Sequence, residues 1–170
     1  MGAGKYLAIV AGLLTILGTY LFAITGVSGG IVAGSGIGVF QNLSLAFEFA
    51  EVSGLLLGGT VVVYILIILM IIFAISGFIQ LAGIKSRAVI GIFSIFPLLI
   101  GIFVILFSSS IIDTIQIDYM LALTREVQIV EGAIPFILEI NDGLALGTIL
   151  ILAGGFLGIV SAALPREDIY

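Results

Sequence analysis

Residues 51–87 read EVSGLLLGGTVVVYILIILMIIFAISGFIQLAGIKSR. No charged side chain stands between Glu51 and Lys85, and the middle, from Val61 to Phe73, is bulky and apolar. A helix that crosses a hydrocarbon core of about 30 Å takes roughly 20 apolar residues. An unpaired charge at that depth is costly, so charges collect where lipid meets water. The stretch therefore predicts a span over 54–82, long enough to tilt or to cross a thick bilayer.

The same pattern continues on both sides. Charges are absent between Lys5 and Glu48, between Arg87 and Asp113, and between Asp142 and Arg166. These gaps predict further spans over 6–27, 88–111 and 143–164. The fold class expected is an all-α membrane protein, a four-transmembrane-helix bundle with two outer loops, in one integral membrane domain over 1–170. The connection 83–87 is so short that the second and third spans must form a tight antiparallel hairpin. Pro97 lies inside the third span and predicts a kink. The run from Tyr6 to Val27 exceeds the roughly 7–15 residues of a signal-peptide core and reads as an uncleaved signal anchor.

Orientation follows from basic residues in short loops. Lys5, Lys85, Arg87 and Arg166 fall on one side and Arg125 on the other. Both termini and the hairpin are expected in the cytoplasm, in a cell membrane or a viral or vesicle envelope. The loops 28–53 and 112–142 are expected outside. Neither is polar enough to stand free in water. The first begins rich in glycine and then turns apolar, with Phe40, Phe47 and Phe49. The second alternates Ile115, Ile117 and Tyr119 with Gln116 and Asp118, and Val127 and Ile129 flank Gln128, which are strand signals. Asn141 or Asp142 is placed to cap the last helix.

Composition narrows the chemistry. Only 9% of residues are charged, against about 25% in a soluble domain, so the chain cannot make a water-soluble surface. Cys, His and Trp are all absent. That removes disulfides, haem held by a protein His or Cys, cysteine-ligated clusters and ordinary zinc sites. No cofactor is expected. With net charge −5 and five basic residues, there is no nucleic-acid footprint. No nucleophile–base pair or buried carboxylate pair suggests an enzyme. Glu48 and Glu51 share a helical face and could form a cation rim with Asp113 or Asp142; a solvated boundary explains them as well. Asn42-Leu43-Ser44 is an N-glycosylation sequon on a loop that charge bias places outside.

Small residues let helices approach closely in lipid. Gly4, Ala11 and Gly18 recur at seven-residue steps in the first span, and Gly154, Gly158 and Ala162 at four-residue steps in the fourth. Either stripe can hold one subunit together or pair subunits.

The order of short inner N-terminus, outer loop, tight inner hairpin, outer loop and short C-terminus resembles claudin-type and other tetraspan proteins. The likeness covers the whole chain and lies in topology. The claudin first loop carries a Trp and a Cys pair, and tetraspanins carry loop cysteines; this chain has neither residue type, so no functional residue is carried over. The first loop is also short for a full claudin-like sheet. The resemblance implies lateral assembly and contact through outer loops. The Ile-rich, cysteine-free composition is similar to that of proteins from thermophilic archaea or their viruses.

The function expected is that of a non-enzymatic scaffold in lipid, a homo-oligomer or a partner of other membrane proteins. Gly154, Gly158 and Ala162 would form its seam and Phe40, Phe47 and Phe49 its loop contacts. An accessory subunit of a larger membrane enzyme or transport complex is the alternative, and an ion channel the second alternative.

Overall fold

A computed structural model describes residues 2–27, 32–112, 114–129, 134–141 and 143–165. Asp113, Asp142 and Arg166, used above for topology, the cation rim or capping, lie outside the described residues, as do Glu131 of the second loop and Ser28, Gly29 and Gly30 of the glycine-rich stretch. Among the described residues there are seven α-helices and one small sheet, and four of the helices are long and apolar enough to cross a membrane.

The first of these is α1 (Ala3–Ile16), which widens into a π-helical turn at Leu17–Leu21. The others are α4 (Thr60–Ala82), α5 (Arg87–Ser108) and α7 (Leu146–Ala163). Each of these four long helices packs on two others: α1 on α4 and α7, and α5 on α4 and α7. The core between them holds Val63, Ile67, Met70, Phe73, Val104 and Ile151. Helix α5 continues past the buried Pro97 without interruption. Ser86 caps α5 by accepting from the Val89 N–H.

Both described chain ends and the hairpin meet at one end of the bundle. A side chain at Gly4 would touch the Pro165 carbonyl at 3.0 Å, and one at Gly12 would touch Leu81 at 2.7 Å. The other end carries a folded cap. Strands β1 (Thr25–Gly26), β2 (Val32–Gly34), β3 (Arg125–Val127), β4 (Glu139–Asn141) and β5 (Leu144–Ala145) form an antiparallel sheet in the order β3-β2-β1-β5-β4. Both connections contribute to it, so the shortness of the first did not prevent a sheet. Helices α2 (Gly36–Glu48) and α3 (Ala50–Leu57) complete the first connection, and α6 (Ile115–Thr124) lies in the second.

Several expectations are corrected here. The 115–119 segment is helical: of the five buried residues of α6, Ile117, Met120, Leu121 and Thr124 recur at three- and four-residue steps, and Leu123 is the fifth. Its alternating isoleucines mimic a strand only locally. The first connection is largely helical: α2 packs through the small residues Gly36, Gly38 and Ala46 together with Val39. Gly58 (φ 95°) closes α3 in the left-handed region, and Gly59 (φ 126°) follows it, so α4 begins at Thr60 rather than near residue 54. Asn141 belongs to β4, and Ala145 stands at the cap position of α7. The first α7 N–H groups are satisfied by backbone instead, Leu146 on the Leu138 carbonyl and Gly147 on the Ala23 carbonyl.

Candidate functional site

The small residues hold α7 between two neighbours. Along α1, Gly4, Ala11 and Gly18 face Ser161, Gly154 and Gly147 at matching seven-residue intervals in opposite chain directions. Ser161 Oγ donates to the Gly4 carbonyl at 2.6 Å, and a Cβ at Gly18 would lie 2.7 Å from the Gly147 carbonyl. Along α5, Gly155, Gly158 and Ala162 face Leu98, Ser94 and Gly91 in the same antiparallel manner. The four-residue stripe Gly154, Gly158 and Ala162 thus divides between α1 and α5 of its own chain. Gly154 and Gly158 are buried, and a second subunit cannot meet them without displacing these helices.

Beside this seam runs a polar chain across three helices. Thr15 Oγ1 reaches Gln80 Oε1 at 3.0 Å, and Gln80 Nε2 donates to Ser94 Oγ at 3.1 Å. All three side chains are fully buried. The sequence shows them as isolated polar residues; their meeting depends on helix rotation, which the apolar pattern does not set.

At the other end, Glu126 is 4% exposed. It projects from β3 opposite Ala33 of β2. The Ser35 hydroxyl donates to Glu126 Oε1 and also accepts from the Ile37 N–H at the start of α2. Glu126 Oε2 is buried and has no hydrogen-bond partner among the described residues. Burial pushes the carboxyl above its ordinary value, and the Ser35 bond opposes that shift. A carboxyl raised in the folded state stabilises the fold fully below its unfolded pKa of about 4.3, and this contribution is lost as pH rises through the higher folded value. Thermal midpoints measured in detergent across that interval should fall with pH in the native chain. Glu126→Gln, which keeps the shape without the charge, should flatten this decline and be the more stable form above it. Equal slopes for the two proteins would exclude the buried carboxyl as the cause.

The remaining candidates separate. Phe40, Phe47 and Phe49 are exposed, and Phe47 stacks on Tyr64 at 6.1 Å between ring centroids. Glu48 and Glu51 are also exposed. No group of three side chains suited to a metal ion occurs among the described residues. Asn42 lies within α2, and its Nδ2 donates to the Leu123 and Arg125 carbonyls at 3.1 and 2.7 Å. That nitrogen ties α2 to α6 and β3, and a glycan on it would have to replace those bonds.

Helix α3 carries an exposed apolar surface of the cap. Gly54 and Leu57 turn inward, while Val52, Leu55 and Leu56 turn outward, with Leu55 87% and Leu56 71% exposed. On the sheet side, a cavity of about 630 Å³ separates β1 and β2 from the ends of α5 and α6, with Arg125 at its edge. Compared with protein-family models, curated proteins and solved structures, the chain finds no match, so the claudin-type likeness rests on the order of its four apolar helices and their connections.

Proposed function

We propose that this chain is a multi-pass integral membrane protein with a structural, non-enzymatic role, assembling laterally with copies of itself or with partner membrane proteins. The four long apolar helices support the membrane assignment. The basic residues Lys5, Lys85 and Arg87 at the hairpin end support a cytoplasmic hairpin and termini, with the cap outside. One observation carries the assembly reading: the outward face of Val52, Leu55 and Leu56 continues the exposed aromatic set of Phe47 and Phe49. Apolar patches of this kind on a folded surface mark contact sites. The buried glycines shift the expected contact from α7 to this face. The bonding of Thr15, Gln80 and Ser94 to one another supports a packed interior over a pore.

The chain has no cysteine, so a single introduced thiol reports contact cleanly. Val52→Cys in native membranes should form a disulfide-linked dimer, or, with a thiol-to-amine crosslinker, a crosslinked heteromer if the chain is an accessory subunit. Leu55→Ser with Leu56→Ser should shift the extracted particle to monomer mass, because a fully buried Leu contributes about 1.5–3 kcal/mol relative to an exposed one. Monomer mass in the native protein, together with no crosslink at residue 52, would refute assembly through this face.

A further inference from the structure

We propose that the cavity under the sheet binds a lipid-like amphiphile, an acyl chain ending in a carboxylate or phosphate. The cavity has the size of a small-molecule site, which runs from about 300 to 1,000 Å³. Val32, Val104, Phe107 and Leu121 make much of its wall. Thr25, Ser108 and Arg125 are the polar side chains of the lining, and the rest of the wall offers water no side-chain hydrogen-bond partner. An acyl chain satisfies such a wall.

The polar end of the ligand is set by Arg125. Neighbouring residues on a strand point to opposite faces, so Glu126 turns toward Ser35 while Arg125 turns to the cavity. Arg125 is the one basic residue between Arg87 and Arg166 in the sequence. Its ion pair with Asp118 is long, 4.0 Å, and both side chains are more than half exposed. Such a pair holds its arginine weakly. The planar guanidinium fits a carboxylate or phosphate with two parallel bonds; the Ser108 hydroxyl also lines the cavity and would join them by leaving its long, 3.5 Å bond to the Ile105 carbonyl. Val104 and Phe107 stand in the last turns of α5, where the apolar helix ends. The acyl chain therefore lies level with the spanning helices and the head group with the cap.

The test is independent of assembly, because a monomer in detergent keeps the cavity. cis-Parinaric acid, a fluorescent fatty acid, should bind the purified chain saturably at one site in non-ionic detergent, and its methyl ester should bind weakly. Arg125→Gln should weaken the acid about tenfold, the scale of one lost charge-assisted hydrogen bond, and leave the ester unchanged. Val32→Trp, which fills the cavity from an exposed position, should weaken both. Displacement by palmitate alone assigns a free acid as the ligand, and displacement by phosphatidylglycerol nanodiscs assigns a bilayer lipid. Displacement by neither, or equal binding of acid and ester in the native chain, overturns the proposal, as does unchanged binding in both variants of a folded protein.

Discussion

Gly158→Leu should destabilise the bundle itself rather than loosen an oligomer. A Cβ at position 158 would overlap Ser94 Oγ and lie 2.8 Å from Ser94 Cβ. Leucine adds three more carbons where α7 crosses α5, and Ser94 cannot retreat without leaving Gln80. Overpacking alone costs about 1–3 kcal/mol, and the displaced hydrogen bond adds to it. For a chain of this size each kcal/mol moves the midpoint by about 2–4 °C, so a fall of about 10 °C, or no folded material at all, is expected in detergent. Gly91→Ala is the control on the same seam. Its Cβ meets only the Ala162 methyl, at 3.3 Å, which a small helix shift relieves. A Gly158→Leu protein with a native midpoint but a smaller particle mass would return this glycine to a subunit interface.

The four long apolar helices were legible because the penalty for burying charge is large and sets their number and the hairpin without any contact being known. The ends of the helices were less so. Residues 54–57 are as apolar as the helix that follows, and only the left-handed glycines at 58 and 59 divide α3 from α4. The heptad stripe of α1 was visible, since its small residues recur among large ones. Its partner stripe was not. Helix α7 has small residues on two faces, and the four-residue spacing that stands out in the sequence joins members of both. In the cap, α2 buries glycine and alanine beside Val39 and exposes its phenylalanines, against the ordinary reading of large hydrophobic residues. A bulky apolar side chain is no sign of burial where lipid or a neighbour can cover it. Glu126 reads in the sequence as one more boundary charge, because nothing there brings Ser35, ninety-one positions away, to its side.

Gln80 separates what packing contributes to this bundle from what hydrogen bonds contribute. Its side chain is fully buried and touches α1 through Thr15 and α5 through Ser94. Gln80→Ala removes the bonds and leaves a void, and truncations of this size cost about 2–5 kcal/mol in a packed core. Gln80→Leu removes the same bonds but fills nearly the same volume. Thr15 can give its one hydroxyl proton to the Ala11 carbonyl, 2.9 Å away, and Ser94 can turn its hydroxyl to its own helix. Polar contacts between membrane helices average about 0.6 kcal/mol and reach about 1.7, so the leucine variant should lose about 1 kcal/mol. Unfolding in rising dodecyl sulfate should rank the proteins native, then Gln80→Leu, then Gln80→Ala, with the wider gap between the two variants. If the two variants unfold together, well below the native chain, the hydrogen-bonded chain and not the filling of space is what joins α1, α4 and α5. That outcome would make the interior of this bundle polar in its energetics despite its composition.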